Sequence, residues 1–211
     1  MRRLFFLAIL ASSLLVNAQS IEITPMGGYS FIGSINFYEG ELDIKDNASY
    51  GIKIGFSPLE NSVLEFSYQG NVSNAVWTPY KYLGGANRDN DFEMSNNYFV
   101  INLQQERMLT NEKVYGFGAF GLGMAYMHPL DVNINDLYSF ALNFELGIKY
   151  FITDRIGIRL QGGMQMPLYF QGFGFFVGMG SGGTTTGLSL NSGAYFVQGG
   201  FSGGLIFKLG K

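Results

Sequence analysis

Tyr138-Ser139-Phe140-Ala141-Leu142-Asn143-Phe144-Glu145-Leu146-Gly147-Ile148-Lys149-Tyr150 decides the fold: every even position is aliphatic or aromatic, and nearly every odd one is small, polar or charged. A period of two belongs to a β-strand whose two faces meet different surroundings. The same alternation recurs in about eight stretches, and no amphipathic helical pattern is left over to cover a sheet. Lipid is then the remaining solvent for the apolar faces.

The strands are expected at roughly 20–32, 48–57, 62–72, 95–108, 113–127, 137–151, 155–170 and 193–209. Each is long enough for the 9–11 residues or so that a tilted strand needs to cross a bilayer. Pro58 to Asn61, Leu109 to Glu112 and Ile152 to Asp154 read as tight turns, with Pro, Asn or Asp at the bends. Gly33 to Asn47, Ser73 to Met94, His128 to Asp136 and Gln171 to Ser192 are longer connections. Short and long alternate without a break, as in outer-membrane barrels with short periplasmic turns and long extracellular loops. The expected fold is all-β, an eight-stranded antiparallel up-and-down transmembrane barrel with both termini on the periplasmic side.

Residues 1–18 are expected to be a signal peptide, leaving 19–211 as the barrel domain. Arg2-Arg3 precedes an apolar run from Leu4 to Val16, and Val16-Asn17-Ala18 offers small residues for cleavage. That run of about 13 residues is short of the roughly 20 that span a bilayer as a helix. Without cysteine the chain has neither a disulfide framework nor a lipidated N-terminal cysteine. Removing Arg2 and Arg3 takes the formal charge from −3 to −5, which argues against nucleic acid as a partner. Thirty glycines and 16% aromatic residues against 14% charged ones suit a barrel greasy outside and crowded inside.

In strand count, loop asymmetry and length the chain resembles the small eight-stranded outer-membrane barrels, such as outer-membrane protein X and the membrane domain of outer-membrane protein A. Phe151-Ile152-Thr153-Asp154-Arg155-Ile156-Gly157-Ile158-Arg159-Leu160-Gln161 resembles a hairpin of Bacteroidetes barrel proteins, and Gly204-Leu205-Ile206-Phe207-Lys208-Leu209 resembles the signal read by the barrel assembly machinery. The resemblance implies a Gram-negative outer-membrane location, a porin-like architecture, and the assembly machinery as a partner during biogenesis.

Eight strands enclose space for side chains or one small ligand. The inward polar phase gives Glu22, Lys53, Glu65, Gln104, Glu106, Glu145, Lys149, Arg159, Gln161, Gln198, Ser202 and Lys208. Unpaired charges there would cost several kcal/mol each, so Glu22, Lys53, Glu65, Glu106, Glu145, Lys149, Arg159 and Lys208 are expected to form a closed polar network. The outward phase includes Ile52, Phe66, Phe99, Leu103, Phe144, Leu160, Phe201 and Phe207. Tyr29, Tyr98, Tyr126, Tyr138, Tyr150 and Tyr169 are candidates for the interfacial girdles.

Loop contacts are expected from Trp77, Tyr80 and Tyr82 in the second long loop and from Phe175 and Phe176 in the glycine-rich fourth, facing lipopolysaccharide or a protein partner. The acidic first loop, with Glu39, Glu41, Asp43 and Asp46, is expected to be solvated. His128, the only histidine, has no serine two residues away and Asp131 as its nearest carboxylate in sequence, so a loop histidine is expected. Asp131-Val132-Asn133-Ile134-Asn135-Asp136 lacks the later glycine and glutamate of a calcium loop. No enzyme activity, metal or cofactor is expected. The leading function is a structural or surface-interaction barrel in contact with outer-membrane lipid and lipopolysaccharide; the alternatives are a narrow channel or carrier for small solutes and an accessory barrel of protein export.

Overall fold

The computed structural model describes residues 20–36, 40–59, 61–79, 90–110, 113–130, 136–180, 183–194 and 197–210, with the backbone alone at 35–36, 90, 110, 169–180 and 183–194. In chain order the strands are β1 (Ile21–Ile32), β2 (Ser34–Asn36), β3 (Gly40–Ile44), β4 (Asn47–Leu59), β5 (Ser62–Pro79), β6 (Asn90–Thr110), β7 (Val114–Pro129), β8 (Leu137–Phe151), β9 (Ile156–Gly180), β10 (Gly183–Ala194) and β11 (Gln198–Leu209). Eight of them close a ring in the order β1, β4, β5, β6, β7, β8, β9, β11, and β11 pairs back onto β1 from Ile21↔Leu209 to Ile32↔Gln198. Every pairing is antiparallel. The fold is a closed eight-stranded barrel, as the period and the connections predict.

Closure follows from the chemistry of edges, since an open sheet in lipid would leave a row of backbone groups without hydrogen-bond partners. At the tight turn between β4 and β5, Asn61 takes φ of 65°, a left-handed conformation that asparagine tolerates better than most residues. On the β1–β11 seam the pairing skips Thr24 and Pro25, where proline has no N–H to donate.

The apolar phase points outward. Leu103, Leu146, Leu160 and Phe201 are 62–73% exposed, while Lys149, Arg159, Glu65 and Gln104 on the opposite face are 0–2% exposed. Rings pair along the outer wall, with Phe120 and Phe144 at 5.1 Å and Phe56 and Phe66 at 6.0 Å between centroids. Such a surface, exposed on nearly every strand, suits a hydrocarbon solvent. Tyr98 departs from its expected place in a girdle. It lies in the inward phase of β6, between outward Phe99 and Asn97, and is buried in the lumen at 1% exposure.

The long-loop end is more regular than the alternation suggests. β5 continues to Pro79 instead of stopping near Val72, and β6 already begins at Asn90. β9 runs on to Gly180 and is met by β10, so the fourth long connection is a hairpin and Gly193 belongs to β10, opposite Tyr169. Apolar alternation ends where the apolar surroundings end, whereas backbone pairing continues for as long as a neighbouring strand offers partners.

The first long connection is likewise paired and partly buried. β2 and β3 form a hairpin, and β3 extends the sheet along β5 from Gly40↔Pro79 to Ile44↔Ala75. Ile44 is 1% exposed. Gly40 is required where it stands, because a Cβ there would come within 2.7 Å of the Trp77 ring. Asp46 accepts a hydrogen bond from the Ile32 amide at 3.0 Å, and contact with Asp43 holds the exposed Lys45 ammonium above its usual pKa.

Candidate functional site

Two strands that face each other across an eight-stranded ring stand four places apart. Lys53 on β4 reaches Glu145 on β8 with its Nζ 2.8 Å from both carboxylate oxygens, and Arg159 on β9 reaches Glu65 on β5 with Nη1 2.5 Å from Oε2. Both links join opposite walls. They are also tied to each other: Lys53 Nζ lies 2.9 Å from Glu65 Oε1, and Arg159 Nη2 lies 3.2 Å from Glu145 Oε2. Asn102 donates to Glu65 at 3.1 Å, Asn143 to Glu145 at 2.9 Å, and Arg159 Nε to Gln161 at 2.6 Å. Two acids and two bases thus form one neutral cluster in the middle of the lumen, and each charge has more than one partner, as burial demands.

A second cluster lies toward the short-turn end. Lys149 Nζ stands 2.5 Å from Glu22 Oε2 and 2.5 Å from Glu106 Oε1, and Gln104 donates to Glu106 at 2.6 Å. The Phe117 ring lies between the clusters, 4.2 Å from the Arg159 guanidinium carbon and 5.9 Å from Lys149 Nζ. Its negative face stabilises both cations. Lys208 is part of neither cluster. It sits 5.5 Å over the Phe151 ring and lines a vestibule of about 350 Å³ at the short-turn mouth, with Glu22, Glu106 and Asp154.

Toward the long-loop end the lumen is crossed twice more, now by neutral groups. Gln165 on β9 donates to Gln69 on β5 at 3.2 Å, and the Tyr98 hydroxyl on β6 donates to Gln198 on β11 at 3.2 Å. Beyond them Ile32, Ile44, Ala75, Met94, Ala125, Met127 and Ala141 pack with Leu42, Phe92 and Leu137 into an apolar cluster. The alternation does not disclose this cap, because its residues occupy the phase that is polar lower in the barrel.

Of the loop candidates, Trp77 is half-buried at the β5 end, paired with Leu42 and Asn90. Phe175 and Phe176 pair through their backbones with Leu188 and Gly187. Tyr80, Tyr82, Glu39 and Asp131 to Asn135 lie outside the described residues.

Outside the barrel at the long-loop end, one level carries a row of polar and aromatic groups. Cross-strand pairing places Tyr50, Gly70, Asn97, Tyr126 and Tyr138 side by side on five successive strands. The Tyr68 hydroxyl donates to Asn97 Oδ1 at 2.9 Å, Asn97 Nδ2 donates to Ser95 Oγ at 3.0 Å, and Tyr126 stacks on Tyr138 at 4.8 Å. His128 finds its carboxylate in Asp136 instead of Asp131: Nδ1 is 2.5 Å from Oδ1, while the Tyr126 hydroxyl donates to Oδ2 at 3.0 Å. The bond from His128 foremost, then that from Tyr126, holds Asp136 below the usual carboxylate range.

No protein-family profile and no characterised sequence matches the chain. Solved structures do. Neisserial surface protein A shares 11% identity, with 90% of this chain and 97% of that one aligned at a TM-score of 0.56. The outer membrane protein OprG from Pseudomonas aeruginosa shares 12% identity over 92% and 98%, at 0.60. The outer membrane protein AlkL, solved by solid-state NMR in DMPC bilayers, shares 11% identity over 92% of each chain, at 0.50. At such identities the shared property is the fold, that of the small eight-stranded outer-membrane barrels.

Proposed function

We propose that the chain is an integral outer-membrane barrel, exported by residues 1–18 and inserted by the barrel assembly machinery, with both termini periplasmic and the long-loop end outside. Its lumen is closed, and it acts through its outer surface on lipopolysaccharide or a protein partner. The observation that carries this reading is the set of four links between opposite walls, Lys53–Glu145, Glu65–Arg159, Gln69–Gln165 and Tyr98–Gln198. Side chains that meet across a lumen leave no continuous path, and the apolar cap adds a region where ions would lose their hydration.

The long strands support the surface role. The β9–β10 hairpin and the β3 extension of β5 make a paired platform at the long-loop end. Single-channel recording of the mature chain refolded into a planar bilayer tests the closed lumen, with heat-modifiable gel mobility as the folding control. A folded barrel should give no discrete openings. Stable openings that respond to neutralising Lys53 or Arg159 would overturn the reading and move the function to transport.

A further inference from the structure

On the outer wall Ser95, His128 and Asp136 stand on consecutive strands or at a strand's edge: Ser95 on β6 is the direct cross-strand partner of His128 on β7, and Asp136 precedes β8. We propose that these residues form a serine hydrolase site for carboxylic esters of membrane lipids, with Ser95 as nucleophile, His128 as general base, Asp136 as its positioning carboxylate and Asn97 as donor to the oxyanion.

The nitrogen assignment follows from the contacts. Asp136 Oδ1 takes His128 Nδ1 at 2.5 Å, so Nδ1 carries the proton and Nε2 is left as the basic nitrogen. Two further contacts fix this half of the site: Tyr126 donates to the other oxygen of Asp136 at 3.0 Å, and its ring lies near parallel to the imidazole, 14° between planes. Facing side chains on paired strands have Cβ atoms about 4.5–5.5 Å apart, within the reach of an imidazole toward a serine hydroxyl. Ser95 Oγ accepts from Asn97 Nδ2 at 3.0 Å, and the β6–β7 register sets its side chain opposite His128, so that the proposed proton transfer needs Oγ to turn from Asn97 toward the imidazole. Asn97 is anchored by the Tyr68 hydroxyl through its own carbonyl, which keeps the amide N–H groups beside the nucleophile. Sequence spacing conceals the set, because 33 residues separate Ser95 from His128 and only the β6–β7 register brings them together.

Location selects the substrate. Directly below the row, Phe99, Leu122, Met124 and Phe140 are outward and 41–47% exposed, the upper edge of the apolar band. The ester carbonyls of a membrane lipid lie at this boundary between acyl chain and headgroup. Ser95 Oγ adds to the carbonyl carbon as its proton passes to Nε2, the ester C–O bond breaks, and that proton goes to the departing alcohol. Water then adds to the acyl-serine, its proton again taken by Nε2, releasing the fatty acid and restoring Ser95. No redox partner is needed.

The proposal rests on the apolar band lying in lipid, so vesicle flotation of the refolded chain is run alongside. The first arm treats it, folded in detergent, with a fluorophosphonate probe. Labelling at Ser95 is expected, abolished in Ser95→Ala and reduced about 100-fold or more in His128→Gln. Asp136→Asn should fall similarly, with partial recovery in Asp136→Glu, a recovery that a purely structural carboxylate would not confer on labelling. All variants should keep heat-modifiable mobility. The second arm supplies phospholipid vesicles or purified lipopolysaccharide and follows fatty-acid release, which identifies the lipid that carries the ester. A folded, floating barrel that neither labels nor releases fatty acid, or labels equally in Ser95→Ala, overturns the proposal. A chain that labels but does not float leaves the nucleophile standing and overturns the membrane reading instead.

Discussion

The two halves of the lumen fill the same narrow space by opposite means. The half nearer the short turns is a lattice of charges, seven side chains in two clusters around Phe117. The half nearer the long loops is neutral, with an amide layer under an apolar cap built from Ile32, Ile44, Met94 and Met127. Ion pairs bind opposite walls by direction and charge, so each depends on all its partners being present; an apolar cap tolerates changes of shape as long as volume is kept. The charged half should therefore be the brittle one.

The sharpest way to break that contrast is to remove one charge. Arg159→Met leaves Glu65 and Glu145 sharing Lys53 alone, and should cost about 3–5 kcal/mol in urea unfolding from detergent micelles. Adding Glu65→Gln should restore part of the loss, since the excess negative charge goes with it. If the double variant were as unstable as the sum of the singles, the two residues would not be coupled. Ile44→Ala in the cap should cost less, about 2 kcal/mol, as lost burial at a site that can partly collapse. It should leave the refolded barrel non-conducting, because the links below are untouched. Phe117→Leu comes next, at about 1 kcal/mol, by removing the ring face from Arg159 and Lys149 while keeping most of the volume.

Much of the contrast is legible in the sequence. The period of two places Lys53, Glu65, Glu145, Lys149 and Arg159 on the face opposite Phe66, Phe144, Leu146, Ile148 and Leu160, and the inward residues cannot be charged unless they meet partners. Which partner each meets depends on the stagger of the closed ring, and no single strand carries that information. The Glu22–Lys149 link joins residues 127 apart in the chain. The cap was hidden for another reason. Above the apolar band both faces of a strand can be apolar, one against the cap and one against neighbouring rings, so alternation fades even though the strand continues. Tyr98 was misplaced by residue type: tyrosine near a strand end suggests a girdle, but its position in the phase of β6 decides, and there it is inward. His128 and Asp136 are eight residues apart, with Pro129 between them, and only the β7–β8 pairing makes them neighbours.

The smallest effect concerns the rim, outside both halves of the lumen. Asp136 accepts from His128 and Tyr126 in the fold, and its pKa lies below the ordinary 3.8. In the unfolded chain it returns to that value. The contribution of these hydrogen bonds is thus fully present above about pH 4, and it disappears as pH falls through the lower folded value, since the unfolded chain then binds the proton first. Because the carboxylate is exposed, the rest of the barrel should ignore the change. Carbon-13 NMR of the Asp136 carboxyl in the refolded protein should give a midpoint below 3.8 that rises to the ordinary value in a His128→Gln, Tyr126→Phe variant. A midpoint unchanged by that double replacement would mean that the two contacts do not hold the rim. The ordering of the outer row would then have to come from the Tyr126–Tyr138 stack and the Tyr68–Asn97–Ser95 hydrogen bonds.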